Sequence, residues 1–171
     1  MGDGAKINFH SCCFAMPMPE YGLVPREEMS RLSGLELMQG LISGKLPSPP
    51  IMRALDFSLD RVEHGVAVFS GEGKFEHYNP IGSVHGGWVA TLLDSCMGCA
   101  VHTTLKPGQG YTSLEIKVNF VRAVLGTSGR MTAEGRVIHV GKATATAEGR
   151  LTDASGKLLA HGTTTCIILG G

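Results

Sequence analysis

The residue whose type and setting most suggest chemistry is a carboxylate. Asp94 is the sole formal charge between Glu76 and Lys106, in the apolar run His85-Gly-Gly-Trp-Val-Ala-Thr-Leu-Leu-Asp94. An ionised carboxylate is costly in an apolar setting unless it is paired or solvated. Asp94 therefore reads either as a working base or nucleophile, or as a helix residue facing a wet dimer seam. Nine residues earlier stands His85, followed by Gly86-Gly87. The first N–H groups of a helix lack intrahelical acceptors, and the helix dipole favours negative charge there. Glycine at that point lets a ligand carbonyl come close, which is an oxyanion-type arrangement. The plainer alternative is a tight loop-to-helix turn.

Spacing links these two features. A helix rises 1.5 Å per residue, so Gly86 and Asp94 lie about 12 Å apart along one helix. One reacting group cannot touch both. In a symmetric dimer the helix start of one chain can face Asp94 of the other, so a composite site at a subunit interface is expected.

Three further residues flank the pair. Asn79, in His77-Tyr78-Asn79-Pro80, can present its amide to a carbonyl or a water; as a turn residue before proline it also has an ordinary role. His85 is either an orienting donor or a helix cap. Ser113, at the head of a strand, can bond to a nucleophile or a water, or be an exposed strand end. Cys96-Met97-Gly98-Cys99 has redox or zinc spacing. A second ligand pair is missing and the motif falls in mid-helix, so buried structural thiols are the better account. Cys12-Cys13 beside His10 reads as incidental. The chain carries no Gly-x-Ser-x-Gly elbow, no phosphate-binding glycine loop and no His-Glu-x-x-His motif, and its seven His are scattered. No metal site is expected.

The elements that must position these groups follow from periodicity. Residues 1–30, with Pro17, Pro19 and Pro25, read as an irregular arm. Ser33 can cap a short amphipathic helix ending at Gly44, and Leu46-Pro-Ser-Pro-Pro-Ile51 reads as helix-breaking. Two strands follow around a turn at Glu63-His64-Gly65. Residues 85–104 are apolar nearly all round, the pattern of a buried helix. In the segment 112–121, Leu114, Ile116, Val118 and Phe120 alternate with Ser113, Glu115, Lys117 and Asn119, a clean strand period. Three more strands follow, with turns at Gly141 and at Asp153-Ala154-Ser155-Gly156. The fold class expected is α+β: a curled antiparallel sheet around one long helix, with an N-terminal helical extension over residues 1–50 and the main domain over 51–171. The helix stays exposed on the open side of the sheet, which predicts dimerisation there.

Composition narrows the function classes. The 171 residues carry 15 Lys plus Arg against 15 Asp plus Glu, a net charge of zero. That disfavours a nucleic-acid binder. The longest apolar run, about Gly86 to Val101, holds three glycines and a carboxylate, a poor membrane span. Five cysteines and no secretory pattern at the N-terminus suggest a cytoplasmic chain with reduced thiols.

The ordered set Asn79, Gly82, His85-Gly86-Gly87 and Asp94 resembles the signature of hotdog-fold acyl-CoA thioesterases of the phenylacetate-degradation, PaaI-like type. The resemblance runs from about Ile51 to Leu169 and includes Tyr111-Thr112-Ser113 and Asn119-Phe120-Val121-Arg122. It implies hydrolysis of an acyl-CoA thioester without a metal or other cofactor, in dimers that usually pair into tetramers. It implies Asp94 as general base or nucleophile, and the Gly86 N–H as the group polarising the thioester carbonyl. Asn79 would hold that carbonyl or the water, His85 would support the loop, and Ser113 would position the water. Gly87 and Trp88 would meet the substrate, and Trp88, Met97 and the N-terminal arm could shape an aromatic or medium-chain pocket. Arg122, Gly141 and Lys142 are the candidates for the CoA phosphates. Where some relatives carry a hydroxyl one turn past the carboxylate, this chain has Gly98. Two other functions compete: a non-catalytic acyl-CoA-binding module, and an enoyl-CoA hydratase. The latter needs an Asp and His at short spacing, whereas His102 lies eight residues beyond Asp94.

Overall fold

The computed structural model describes residues 20–170. The arm expected over residues 1–30 lies outside them as far as residue 19, as does the Cys12-Cys13 pair. Three short helices come first: α1 (Arg26–Arg31), α2 (Gly34–Ile42) and α3 (Pro50–Ala54). The strands β1 (Phe57–Glu63) and β2 (Val66–Glu72) lead through a loop into α4 (Gly86–His102). Then come β3 (Gly110–Phe120), β4 (Arg130–Val140), β5 (Thr144–Thr152) and β6 (Leu158–Leu169).

Two of the helices were not expected from the sequence. Pro25 stands at the N-cap of α1, whose first turn carries Glu27 and Glu28. Pro49 caps α3 and Pro50 opens it. A proline at a helix start has no N–H to leave unbonded, so the residues read as helix-breaking are helix-starting. In α2, the Ser33 N–H donates to Glu36 Oε2 at 2.9 Å and the Glu36 N–H donates back to Ser33 Oγ at 3.4 Å. That reciprocal cap satisfies two orphan donors. It sets Leu37, Met38 and Leu41 into the core beside β1.

The six strands form one antiparallel sheet in the order β1-β2-β4-β5-β6-β3. It curls around α4, which touches all six. The closeness of that contact comes from a row of glycines. Gly135 of β4 pairs with Gly149 of β5, which pairs with Gly162 of β6. The first two belong to a repeated Thr-Ala-Glu-Gly-Arg at 132–136 and 146–150. A Cβ added to Gly135 would lie 2.2 Å from the Cys96 carbonyl oxygen of α4. The helix backbone therefore rests directly on the sheet backbone. Above and below that line Leu92, Leu93, Met97, Met131 and Leu151 fill the core with no exposed surface.

The helix is not buried all round. Trp88, Val89, Leu92, Leu93, Cys96, Met97, Ala100 and Val101 face the sheet, whereas Asp94 is exposed in the single chain. The strand β3, last in the order, is an edge, and its register with β6 slips between Ser113 and Glu115. Its apolar row is not core: Leu114 is 59% exposed, Ile116 38% and Phe120 58%. A regular alternation shows which side chains share a face, but not that a helix covers that face.

Candidate active site

The site is assembled around the two ends of β3. The loop before α4 is pinned by the His85 N–H, which donates to the His77 carbonyl at 2.7 Å, and by a bridge between Tyr78 and Val84. Within it Asn79 closes a turn. Its Oδ1 accepts from the Ile81 and Ser83 N–H groups at 3.1 and 3.2 Å, and its Nδ2 donates to Ser83 Oγ at 2.9 Å. Gly82 allows the turn through a φ of +84°. The Asn79 side chain thus first shapes the loop, with one amide hydrogen to spare.

His85 caps α4: its Nδ1 accepts from the Gly87 N–H at 2.8 Å and its carbonyl from the Trp88 N–H at 3.0 Å. The neutral ring then carries its proton on Nε2. Among the described residues the Gly86 N–H meets no protein acceptor. Gly86 opens a cleft of about 270 Å³ lined also by Asn79, Val89, Phe120, Arg122 and Val124. The Phe120 ring lies against Gly86, where an added Cβ would approach its Cζ to 3.1 Å. Gly87 stands apart, in a depression with His77, Tyr78 and Thr91.

Asp94 lies elsewhere. Ser113 Oγ donates to its Oδ1 at 3.0 Å, which orients the carboxylate across from the head of β3. The two share a shallow depression of about 470 Å³ with Ile51, Thr91, Leu114 and Ile116. Gly86 and Asp94 therefore open into different concavities of one chain, as the helix rise requires. Gly86 sits at the Phe120 end of β3, Asp94 at the Ser113 end.

Other candidate residues divide. Trp88 is 3% exposed, its Nε1 donates to the Leu55 carbonyl at 2.8 Å, and its ring stacks on His77 at 5.7 Å. Mostly buried, it still borders the depression that holds Gly87, whereas Met97 is fully buried. Arg122 borders the Gly86 cleft and donates to the Leu158 carbonyl at 2.5 Å. Gly141 and Lys142 sit in the β4–β5 turn, where the Gly141 N–H bonds to Thr144. That turn adjoins Ile168, while Arg122 adjoins Leu159. The length of β6 separates them, so a single chain does not gather these three around one phosphate. Ile51, Leu114, Ile116 and Phe120 also border these two concavities and were not among the candidates. Their one sequence signal was a large apolar side chain with no assured cover.

Cys96, Cys99 and Cys166 are free thiols. Burial pushes Cys99 up to about 12 and Cys96 still further. Burial also raises Tyr111 and lowers His102, whose rings meet edge-on at 5.5 Å. Such thiols are poor nucleophiles. Among the described residues no three His, Cys, Asp or Glu side chains converge as a metal-holding group. No helix there is long and apolar enough to cross a membrane.

A curled antiparallel sheet around one long central helix is the hotdog fold. The chain belongs to the thioesterase superfamily, whose family model matches residues 81–160, and it is a thioester hydrolase. It is 28% identical to the 1,4-dihydroxy-2-naphthoyl-CoA hydrolase of Listeria monocytogenes over 109 residues, 64% of this chain and 87% of that protein. It is 31% identical to a provisionally named esterase of Saccharolobus solfataricus over 108 residues, 63% of this chain and 75% of that one. The fold matches the Escherichia coli PaaI protein from the phenylacetic acid degradation operon. The TM-score is 0.70 at 20% identity, over 84% of this chain and 97% of that one.

Proposed function

We propose that this enzyme hydrolyses an aromatic or medium-chain acyl-CoA to the free acid and CoA, with Asp94 as general base and without a metal. The observation that carries this reading is the Ser113 Oγ–Asp94 Oδ1 bond of 3.0 Å at the open face of α4. It occupies one carboxylate oxygen and leaves Oδ2 to take a proton from a water. That water attacks the thioester carbonyl carbon. The carbonyl oxygen gains charge and is met by a Gly86 N–H at a helix start. The C–S bond then breaks, and the thiolate leaves with the proton that Asp94 accepted.

The two halves come from two chains. Antiparallel pairing of the β3 edge with its own copy sets the Ser113 end of one chain against the Phe120 end of the other. Gly86 lies on Phe120, so the partner's helix start arrives where Asp94 needs an oxyanion donor. The exposed Leu114, Ile116 and Phe120 support burial of that edge. Exposed Ile138 and Val140 on β4 support a further pairing into a tetramer. Asn79 and His85 hold the Gly86 loop, and Arg122 at the cleft meets a CoA phosphate.

Thiol release from a panel of acetyl-, hexanoyl-, phenylacetyl-, hydroxybenzoyl- and palmitoyl-CoA, with Asp94→Asn as control, tests this. We expect Asp94-dependent turnover of the aromatic or medium-chain members. Near-normal rates in Asp94→Asn would remove the assigned base. Tight binding of acyl-CoA with no turnover would make the chain a binding module.

A further inference from the structure

The depression that holds Asp94 has a wall that the matched family segment, residues 81–160, does not supply. Ile51, in α3, borders it together with Leu114 and Ile116 of β3 and with Ala90 and Thr91 of α4. The placement of Ile51 is fixed from both sides. Its neighbour Met52 is 7% exposed and packed in the core. The Leu55 carbonyl at the end of α3 receives the buried Trp88 indole N–H at 2.8 Å, and the Leu55 N–H donates to the Ile51 carbonyl at 3.0 Å. Pro49 and Pro50 restrict the entry to the helix. Ile51 itself is half exposed beside a carboxylate, a place where a large aliphatic side chain gains nothing unless something apolar covers it.

Charge decides which arm of the thioester provides that cover. The CoA arm is a polyanion. The rim around Asp94 adds a second carboxylate, Glu115, held by Thr165 Oγ1 at 3.0 Å, and contributes no Lys or Arg. The Gly86 cleft carries Arg122 and no acidic side chain. Phosphates are therefore repelled from the Ile51 side and drawn to the cleft side.

We infer that α3, through Ile51, is the acyl-selecting wall of the site. It receives a neutral, apolar acyl group, aromatic or of medium length, against Ile51, while Leu114 and Ile116 are covered by the second copy. The CoA arm leaves in the opposite direction, over the Arg122 cleft that a second copy brings to the site. The Trp88–Leu55 bond is the tie that keeps this wall in place. The inference rests on the reading of Asp94 as the base at the reacting carbon.

The test is a comparison of kcat/KM for acetyl-, hexanoyl-, phenylacetyl- and adipoyl-CoA in the wild type, Ile51→Ala, Ile51→Trp and Asp94→Asn. Adipoyl-CoA matches the hexanoyl chain but ends in a carboxylate. The wild type should prefer hexanoyl to adipoyl by about tenfold or more. Ile51→Ala should lower the hexanoyl-to-acetyl ratio by about tenfold, as loss of apolar contact does in a hydrophobic pocket. Ile51→Trp should cut phenylacetyl-CoA relative to acetyl-CoA by a similar factor through lost room. The side chain is half exposed, so both variants should fold, which unchanged thermal unfolding and oligomer size verify. Ratios within about twofold of wild type in both variants, with Asp94→Asn still inactive, overturn the wall and leave the hydrolase reading standing. Full turnover by Asp94→Asn overturns that reading instead. If none of the four is turned over, the same ratios are read from dissociation constants, and unchanged ratios again overturn the wall.

Discussion

Replacing Gly135 by alanine tests how α4 is held. The new Cβ would lie 2.2 Å from the Cys96 carbonyl oxygen, 2.3 Å from its carbonyl carbon and 2.7 Å from the Met97 nitrogen. Ordinary contact begins near 3.4 Å, so the overlap is roughly 1 Å, and it falls on backbone that cannot rotate aside. The helix must lift by about that amount. Overpacking costs about 1–3 kcal/mol. A gap of about 0.5–1 Å then forfeits a quarter to a half of each dispersion contact along the lifted face. We expect about 4 kcal/mol of lost stability, at the high end for a single substitution. Gly149→Ala is the matched control. Its Cβ would meet Met97 Cγ at 2.8 Å, and Cys96 Sγ and Leu93 Cδ2 at 3.2 Å, all side-chain atoms that can move. That change should cost about 1–2 kcal/mol. Asp94 lies half a turn before Cys96, so the same lift should draw it from Ser113. Displacements of about 1 Å can lower turnover by about a hundredfold. Urea unfolding gives the stabilities, and kcat at a temperature where both variants are folded gives the rest. Equal costs at the two positions, or less than about 1 kcal/mol at Gly135, would refute the backbone contact as the determinant of helix height.

Three other outcomes follow from the same geometry. Ser113→Ala removes the hydroxyl that holds Asp94 and should lower kcat by about tenfold with little change in KM, since a hydrogen bond to a charged group contributes about 1.5 kcal/mol; steady-state kinetics decide it, and an unchanged kcat counts against the Ser113 role. Ile116→Lys places a charge on the β3 edge and should yield a monomer with little activity, so a fully active monomer by gel filtration would refute the two-chain site. Burial holds His102 below its ordinary 6.5, so the unfolded chain binds its proton more readily. Stability should therefore fall as pH drops below about 6.5. His102→Asn should flatten that slope in urea titrations between about pH 5 and 7, and an identical slope would show that His102 is not its source.

The candidate residues were conspicuous in the sequence for a physical reason. A lone carboxylate in an apolar helix and a glycine pair at a helix start are conspicuous as types, and the helix rise alone separates them into two concavities. The long elements were legible through their periods. What could not be read was cover. The apolar row of β3 looks like core by alternation, yet its position in the strand order makes it an edge. Trp88 has the type of a pocket residue, and sequence alone did not show that its indole N–H is taken by the Leu55 carbonyl. Two helices hid behind prolines, whose helix-starting and helix-breaking roles share one residue. With α3 hidden, Ile51 could not be placed beside Asp94. That Gly141 and Lys142 lie at the opposite end of β6 from Arg122 could not be read from residue types.

The glycine row has a consequence for how this enzyme can change over generations. Because α4 sits on main-chain atoms, ordinary drift among the core side chains alters packing without resetting the level at which Asp94 is carried. The apolar surroundings of that residue come from separate stock: a short proline-bounded turn of helix before the first strand, and the free margin of the sheet. On the reading proposed above, changes at Ile51 would retune which substrate is accepted while α4 keeps its seat on the sheet. A lineage built this way can diversify its diet without first losing its chemistry.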